Sequence, residues 1–170
     1  MTAFDDAPLL RSHRAAKAPR FVRLLSPLLQ PLIGLGLPAG PNVLITIPGR
    51  TSGIPRTTPV AIIEVGGRRW IWSPWGDVHW AFNFRAAGRA MMTVRGRKED
   101  VDATELDEAE RVVFFRDTFT PFVKAMRGGV AFVRLIDGVV LDDPAEVASQ
   151  TRVFELHGTR HAPIEPLRRS

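Results

Sequence analysis

Hydrophobic and polar residues alternate in several short runs after residue 41, a pattern typical of half-buried β-strands. Gly66-Gly67 and Gly96 stand between consecutive runs, where each would turn a hairpin. The pattern indicates a mainly β (α+β) protein, an antiparallel barrel with a few helices. The predicted strands cover residues 42–47, 56–65, 68–73, 90–95, 97–104, 130–136 and 151–156.

Two helices are predicted to interrupt the strands. The first covers residues 78–87, with Asp77 as its N-cap and Gly88 as its C-cap. The second covers residues 106–126, because acidic residues open it, basic residues close it, and four phenylalanines provide an apolar face. Those phenylalanines are Phe114, Phe115, Phe119 and Phe122.

The N-terminal part has a different composition, which suggests a division into residues 1–38, a helical or amphipathic segment with a linker, and residues 39–170, the barrel domain. Within residues 14–37, basic residues precede an apolar run that is broken at Pro27 and Pro31. This segment is expected either to rest on a membrane surface or to pack over the barrel or a partner subunit. Neither a signal peptide nor a spanning helix is apparent, so we expect a cytoplasmic protein, with membrane association as the alternative.

Composition excludes several kinds of chemistry. The chain has no cysteine and no tyrosine, which excludes thiolate catalysis, zinc–thiolate sites, iron–sulfur clusters and phenol chemistry. The four histidines show no metal-ligand spacing, so no metal site is expected. Thirteen Lys and Arg but only two acids lie between Ala7 and Arg97, which indicates an anionic partner. Because no nucleic-acid-binding motif is present, an anionic cofactor or membrane surface fits better.

The segment 47–60 lies between two predicted strands and combines prolines, glycines, hydroxyls and two arginines. Arg50 and Arg56 offer guanidinium donors, and Thr51 and Ser52 add hydroxyls near free backbone N–H groups. Such a set suits a phosphate or a carboxylate. The alternative is an ordinary hairpin turn with solvated arginines.

All four tryptophans lie between Trp70 and Trp80. Trp70 and Trp72 share one face of a strand, where core packing is the favoured interpretation. Trp75, in a Pro/Gly turn, and Trp80, on the short helix, are candidates for the wall of a site for a flat aromatic ligand.

Three motifs follow one another along the chain: Gly49-Arg50-x-Ser52-Gly53-x-Pro55-Arg56 with Pro59, then Ser73 at a strand end, then Trp80-x-x-Asn83 with Arg85-Ala86-Ala87. In these motifs, over roughly residues 42–140, the chain resembles the deazaflavin-dependent nitroreductase family of actinobacteria. Members of that family have the split β-barrel fold and are monomers or homodimers.

The resemblance implies a cofactor, the deazaflavin coenzyme F-420, which carries a phosphate and a polyglutamyl tail. It implies hydride transfer from the reduced cofactor to a quinone-like or nitro acceptor. No catalytic side chain is assigned; His79 or a serine is a candidate for stabilising a developing anion on the acceptor. The resemblance implies that Arg50, Thr51, Ser52 and Arg56 hold the phosphate and tail, that Thr58, Pro59 and Ser73 line the ring, and that Trp80 and Asn83 complete the pocket wall. Gly53 in the loop and Trp75 in the Pro/Gly turn complete the predicted cofactor-binding set.

The chain departs from the family pattern in three places. Thr51 stands where many members have Lys, the loop Pro74–Val78 is short and contains Trp75, and the substrate-site tyrosines have no counterpart. Two alternatives therefore stand beside the F-420 reductase: an FMN-dependent reductase of the same fold, and a non-catalytic barrel that binds a lipid or fatty acid.

Overall fold

The computed structural model of the chain describes residues 42–134 and 138–158. Within these residues six antiparallel strands close into a barrel in the order β1-β2-β3-β6-β5-β4. This confirms the predicted antiparallel split-barrel architecture. The strands are β1 (Asn42–Pro48), β2 (Pro55–Val65), β3 (Arg68–Ser73), β4 (Arg89–Val94), β5 (Arg97–Glu105) and β6 (Arg152–Gly158).

Tight turns join neighbouring strands where the sequence places glycine. Gly66 and Gly67 both have positive φ and connect β2 to β3, as predicted. At the turn from β4 to β5, Gly96 has φ 77° and Arg95 has φ 48°. Glycine adopts such angles without a steric penalty, so these positions fix the register of the hairpins.

Side chains that point into the barrel form the first of two hydrophobic cores. Ile45, Ile71, Met92 and Phe154 lie there with almost no exposed surface. The short helix α1 (His79–Ala87) closes one end of this core with Ala81 and Phe84. Gly88, with φ 65°, ends the helix as the predicted C-cap.

The second core lies on the outer face of the sheet. Trp70 and Trp72 point outward together, and their rings contact Phe114, Phe115 and Phe119 at centroid distances of 4.7–5.9 Å. Both tryptophans are therefore core residues, as the two-residue spacing favoured.

Helices cover this second core. The predicted helix 106–126 is present as α2 (Glu108–Val113), a π-helical segment (Phe114–Phe119) and α3 (Thr120–Ala125). Asp107 and Glu110 form a capping box at its start. The helix α5 (Pro144–Gln150), which begins after the N-cap Asp143, was not predicted.

Two sequence predictions are wrong. The strand predicted over residues 130–136 is instead helical at its start, as α4 (Gly129–Phe132), and residues 135–137 lie outside the described part. The six strands close the barrel without this segment, which packs against α3 instead: a Cβ at Gly129 would come within 2.4 Å of the Val123 carbonyl oxygen, a close approach that the residue pattern does not show. Asp77 is not a helix cap: the N-cap of α1 is Val78, with no side-chain hydrogen bond.

The predicted N-terminal segment 1–38, including residues 14–37, lies outside the described residues. In residues 42–134 and 138–158 no helix is long and apolar enough to cross a membrane.

Candidate functional site

The loop Gly49–Ile54 connects β1 to β2, and the pairing of Pro48 with Pro55 closes its base. The Gly49 N–H donates to the Ile54 carbonyl (3.0 Å), and the Gly53 N–H donates to the Gly49 carbonyl (2.7 Å). Gly53 has φ 68°, which only glycine adopts readily. A Cβ at Gly49 would lie 2.9 Å from the Ser52 hydroxyl oxygen. These contacts give the loop one compact shape.

A cleft of about 480 Å³ lies between this loop, the start of β2 and the first turns of α1. Its volume is within the range of small-molecule sites. Among the described residues that line it none is acidic, whereas Arg50 and Arg56 are both present. The cleft is lined by Ile47, Gly49, Arg50, Thr51, Ser52, Arg56, Thr57, Thr58, His79, Trp80 and Asn83.

Seven of the predicted cofactor-binding residues meet in this cleft, together with the candidate His79. They come from three elements separated by up to 33 positions, the loop 49–54, β2 and α1. The structure thus brings the first and third sequence motifs to one place. The seven are Arg50, Thr51, Ser52, Arg56, Thr58, Trp80 and Asn83.

The other four predicted residues do not line the cleft. Ser73 is buried, and its hydroxyl donates to the Gly76 carbonyl oxygen at 2.7 Å, which stabilises the turn after β3. Trp75 lies in that turn and packs against the barrel core. Pro59 pairs with Leu44 in the sheet, and Gly53 shapes the loop by its backbone.

Three lining residues were missed from the sequence: Ile47, Gly49 and Thr57. Ile47 is buried at the floor of the cleft, and Gly49 begins the loop. The Thr57 hydroxyl lies 2.9 Å from that of Thr46 on the paired strand. Gly49 and Thr57 are adjacent in the chain to predicted residues, which is the signal that would have found them, whereas Ile47 lies three positions before Arg50 at the end of a strand.

The two cleft arginines have different surroundings. Arg50 donates to the Asn83 side-chain oxygen from its backbone N–H (3.2 Å) and from Nη1 (3.3 Å). Its guanidinium also lies 5.1 Å from the ring centroid of Phe82. Arg56 is exposed, and the described residues provide it with no side-chain hydrogen bond or ion pair. Both guanidinium groups remain able to bind an anion.

A charged network supports the helix that carries Trp80 and Asn83. Arg85 on α1 donates to Asp77 (2.9 Å) and to Glu105 (2.7 Å), and Arg152 donates to both oxygens of Asp77. Burial alone would raise the pKa of Asp77, but the hydrogen bonds from both arginines outweigh it and hold that pKa below its usual value. The hydrogen bond to Glu105 raises the pKa of Arg85.

A second groove, of about 380 Å³, lies on the outer face between β3, β6 and the π-helical segment. Its arginine, Arg68, is paired with Glu155 through two hydrogen bonds of 2.8 and 2.7 Å. Within residues 42–134 and 138–158, no group of three His, Asp or Glu side chains is placed to hold a metal ion.

The residues 29–127 match the model of the F-420H(2)-dependent quinone reductase family. No curated protein matches the chain.

Solved structures similar to the chain include an F-420-H2 dependent reductase (FDR-A), at 22% identity over 69% of this chain and 94% of that one, with a TM-score of 0.43. A conserved hypothetical protein from Mycobacterium tuberculosis is 12% identical over 88% and 86%, with a TM-score of 0.43. HutZ, the heme storage protein from Vibrio cholerae, is 11% identical over 79% and 89%, with a TM-score of 0.42. At these values the likenesses carry no argument about activity.

Proposed function

Because the chain belongs to the F-420H(2)-dependent quinone reductase family, it is an oxidoreductase whose cofactor is coenzyme F-420, and we propose that it reduces a quinone in the cleft between the loop 49–54 and α1. The observation that carries this proposal is the meeting of Arg50 and Arg56 beside Trp80, in a cleft that no described acidic residue lines. Paired guanidinium groups suit an anionic tail, and an indole suits a flat ring.

The residues of the cleft fit the two ends of this cofactor. Arg50 and Arg56, with the hydroxyls of Thr51 and Ser52, would hold the phosphate and tail. Thr58 and Trp80 would line the ring, above the apolar floor that Ile47 provides. We propose these roles from position and chemistry, and Thr51 contributes a hydroxyl where relatives of the resembled family supply a positive charge.

The reduced cofactor supplies a hydride when it is bound. Reduction of a quinone to a quinol takes that hydride and one proton, so a proton must reach the acceptor oxygen. His79 is exposed at the cleft, so its imidazole would be placed to deliver this proton. The other side chains would position the two reactants and exclude water from between them.

The alternatives gain less support from this site. A fatty-acid site would be mostly apolar, whereas this lining consists mainly of hydroxyl, amide, imidazole and guanidinium groups. FMN carries a single phosphate and no anionic tail, so it needs fewer cationic contacts than the two arginines of the cleft provide. A nitro compound remains a second acceptor class, since it also accepts a hydride and a proton.

The proposal is tested by mixing the protein anaerobically with reduced F-420 and following the return of the oxidised cofactor's absorbance. A soluble quinone should oxidise the cofactor at a rate proportional to the protein concentration, and a nitroimidazole serves as the competing acceptor. A His79→Gln variant should lower kcat for the quinone and leave cofactor affinity unchanged. Turnover with nitro compounds alone, or with neither acceptor, would overturn the quinone assignment.

A further inference from the structure

Asn83 on α1 lines the cleft and also accepts hydrogen bonds from the loop 49–54. Its side-chain oxygen accepts the Arg50 backbone N–H at 3.2 Å and Arg50 Nη1 at 3.3 Å. Asn83 is buried, with 8% of its surface exposed, whereas Arg50 is exposed. One buried amide oxygen therefore fixes both the backbone and the side chain of an exposed arginine.

Phe82, the preceding residue on α1, provides the second constraint. The guanidinium carbons of Arg50 and Arg85 lie 5.1 and 5.5 Å from the centroid of the Phe82 ring. Arg85 is itself held by Asp77 and Glu105. Cation–π attraction thus connects Arg50, through one ring, to an anchored arginine.

We propose that Asn83 and Phe82 are positioning residues that preset the Arg50 guanidinium for the phosphate or tail carboxylates of the cofactor. This inference rests on the proposed function of the cleft. An arginine side chain loses much rotational freedom when it binds an anion, and an arginine that is already ordered loses less. Arg56, for which the described residues provide no such contacts, would instead adapt to the anion when it binds.

A positioning role for Asn83 has different consequences for the anionic end of the cofactor and for its ring. If Asn83 acts through Arg50, its loss weakens only the anionic end of the interaction. If Asn83 contacted the ring, or merely held the barrel together, its loss would affect the ring as well. The comparison therefore needs F-420 and the matching deazaflavin riboside, which has the ring but neither the phosphate nor the tail.

The experiment measures the affinity of both ligands by fluorescence titration, in the wild type and in Asn83→Ala, Phe82→Leu and the control Phe122→Leu. Phe122 is a partly buried phenylalanine that packs against the outer core, away from the cleft. We expect Asn83→Ala to weaken F-420 binding about fivefold, because Arg50 must then lose its rotational freedom when the anion binds, and Phe82→Leu about twofold. Neither variant should change the affinity for the riboside, and Phe122→Leu should change neither ligand. An equal loss for both ligands, or no loss for F-420, would overturn the proposal.

A second measurement uses the free protein. Hydrogen exchange of the Arg50 backbone amide should be slow in the wild type, fast in Asn83→Ala, and slow again in Asn83→Asp, whose carboxylate accepts the same bond. Unchanged exchange in Asn83→Ala would overturn the positioning role. If the wild type fails to bind F-420, the proposed function fails, and this exchange experiment still decides the role of Asn83.

Discussion

Arg152, the first residue of β6, donates two hydrogen bonds to Asp77, from Nε to Oδ1 at 3.1 Å and from Nη2 to Oδ2 at 3.0 Å. The two residues are 75 positions apart. Because Asp77 precedes α1 and also accepts a bond from Arg85, this pair ties the cleft helix to the start of β6, where Arg152 pairs with Ser73.

Replacement of Asp77 by Asn should lower the free energy of unfolding by about 3 kcal/mol, because it leaves two arginines without their shared buried partner. Urea or thermal unfolding measures the loss. The matched control is Asp117→Asn, which removes an exposed partner of Arg116 and should leave stability nearly unchanged. An equal effect of both substitutions would contradict the structural role of Asp77.

Stability should also depend on pH through Asp77. Its pKa is lower in the folded protein than in the unfolded chain, so the unfolded chain binds more protons in acid. The contribution is complete above the ordinary pKa of about 4 and is lost as pH falls toward the lower, folded-state value. Unfolding measured from pH 7 to pH 2 should show a shallower acid decline in Asp77→Asn than in the wild type. Parallel curves for the two proteins would show that another carboxyl group causes the decline.

Arg50 and Arg56 carry the anion-binding prediction. Replacing either by Ala should weaken F-420 binding about tenfold or more, since hydrogen bonds to charged groups contribute about 1.5–3 kcal/mol. Each variant should also show a smaller loss of affinity with added salt, because fewer charges remain to be screened. Arg97→Ala, an exposed arginine on the hairpin from β4 to β5, is the control. If it weakens binding as much as Arg50→Ala, the attraction is a general effect of net charge.

Gly49→Ala tests the shape of the loop without removing a donor. The added methyl would lie 2.9 Å from the Ser52 hydroxyl oxygen and 3.2 Å from the Ile54 carbonyl oxygen, so the loop must shift. We expect a severalfold loss of F-420 affinity with little change in Tm. Gly66→Ala should lower Tm and leave F-420 affinity unchanged, because the φ of 59° at Gly66 is strained for alanine while the surrounding space is open. A normal affinity in Gly49→Ala would show that the loop shape does not matter for binding.

Trp80→Ala should weaken both F-420 and its riboside about fivefold to tenfold, because an aromatic contact contributes about 1 kcal/mol beyond buried area. Trp70→Phe is the control from the outer core, where Trp70 packs against Phe114. That substitution should lower Tm and leave both affinities unchanged. Equal affinity of Trp80→Ala and the wild type for the riboside would remove Trp80 from the ring site.

Local sequence patterns predicted the six barrel strands and the two longest helical regions, because alternation, glycine turns and helix caps depend on residues close together in the chain. The strand predicted after Gly128 is wrong because Val130 and Phe132 favour a strand by residue type, whereas the barrel closes without this segment and Gly129 packs close to Val123 on α3. The prediction of Asp77 as a helix cap is wrong because its carboxylate forms ion pairs with Arg85 and with Arg152, which is distant in the sequence.

The candidate site likewise has features that the local sequence predicts and features that depend on contacts between distant residues. Arg50 and the hydroxyls of the loop, with Arg56 at the start of β2, were visible in the sequence as a motif, and the structure brings them together with Trp80. The hydrogen bond between Asn83 and Arg50 joins α1 to the loop 49–54, and the spacing of residues in the sequence does not predict this contact. Ser73 was implied by the family resemblance and Trp75 by its place in a Pro/Gly turn, but the Ser73 hydroxyl bonds within the turn after β3 and Trp75 packs against the barrel core.

Binding of F-420 in this cleft is tested by titrating the purified protein with oxidised F-420 and, in parallel, with FMN, and following tryptophan fluorescence. Strong quenching by F-420 at micromolar or lower concentration, reduced by added salt and by Arg50→Ala, with little response to FMN, is the predicted result. Equal or tighter binding of FMN, or F-420 binding that Arg50→Ala and Arg56→Ala both leave unchanged, would show that this cleft is not the F-420 site.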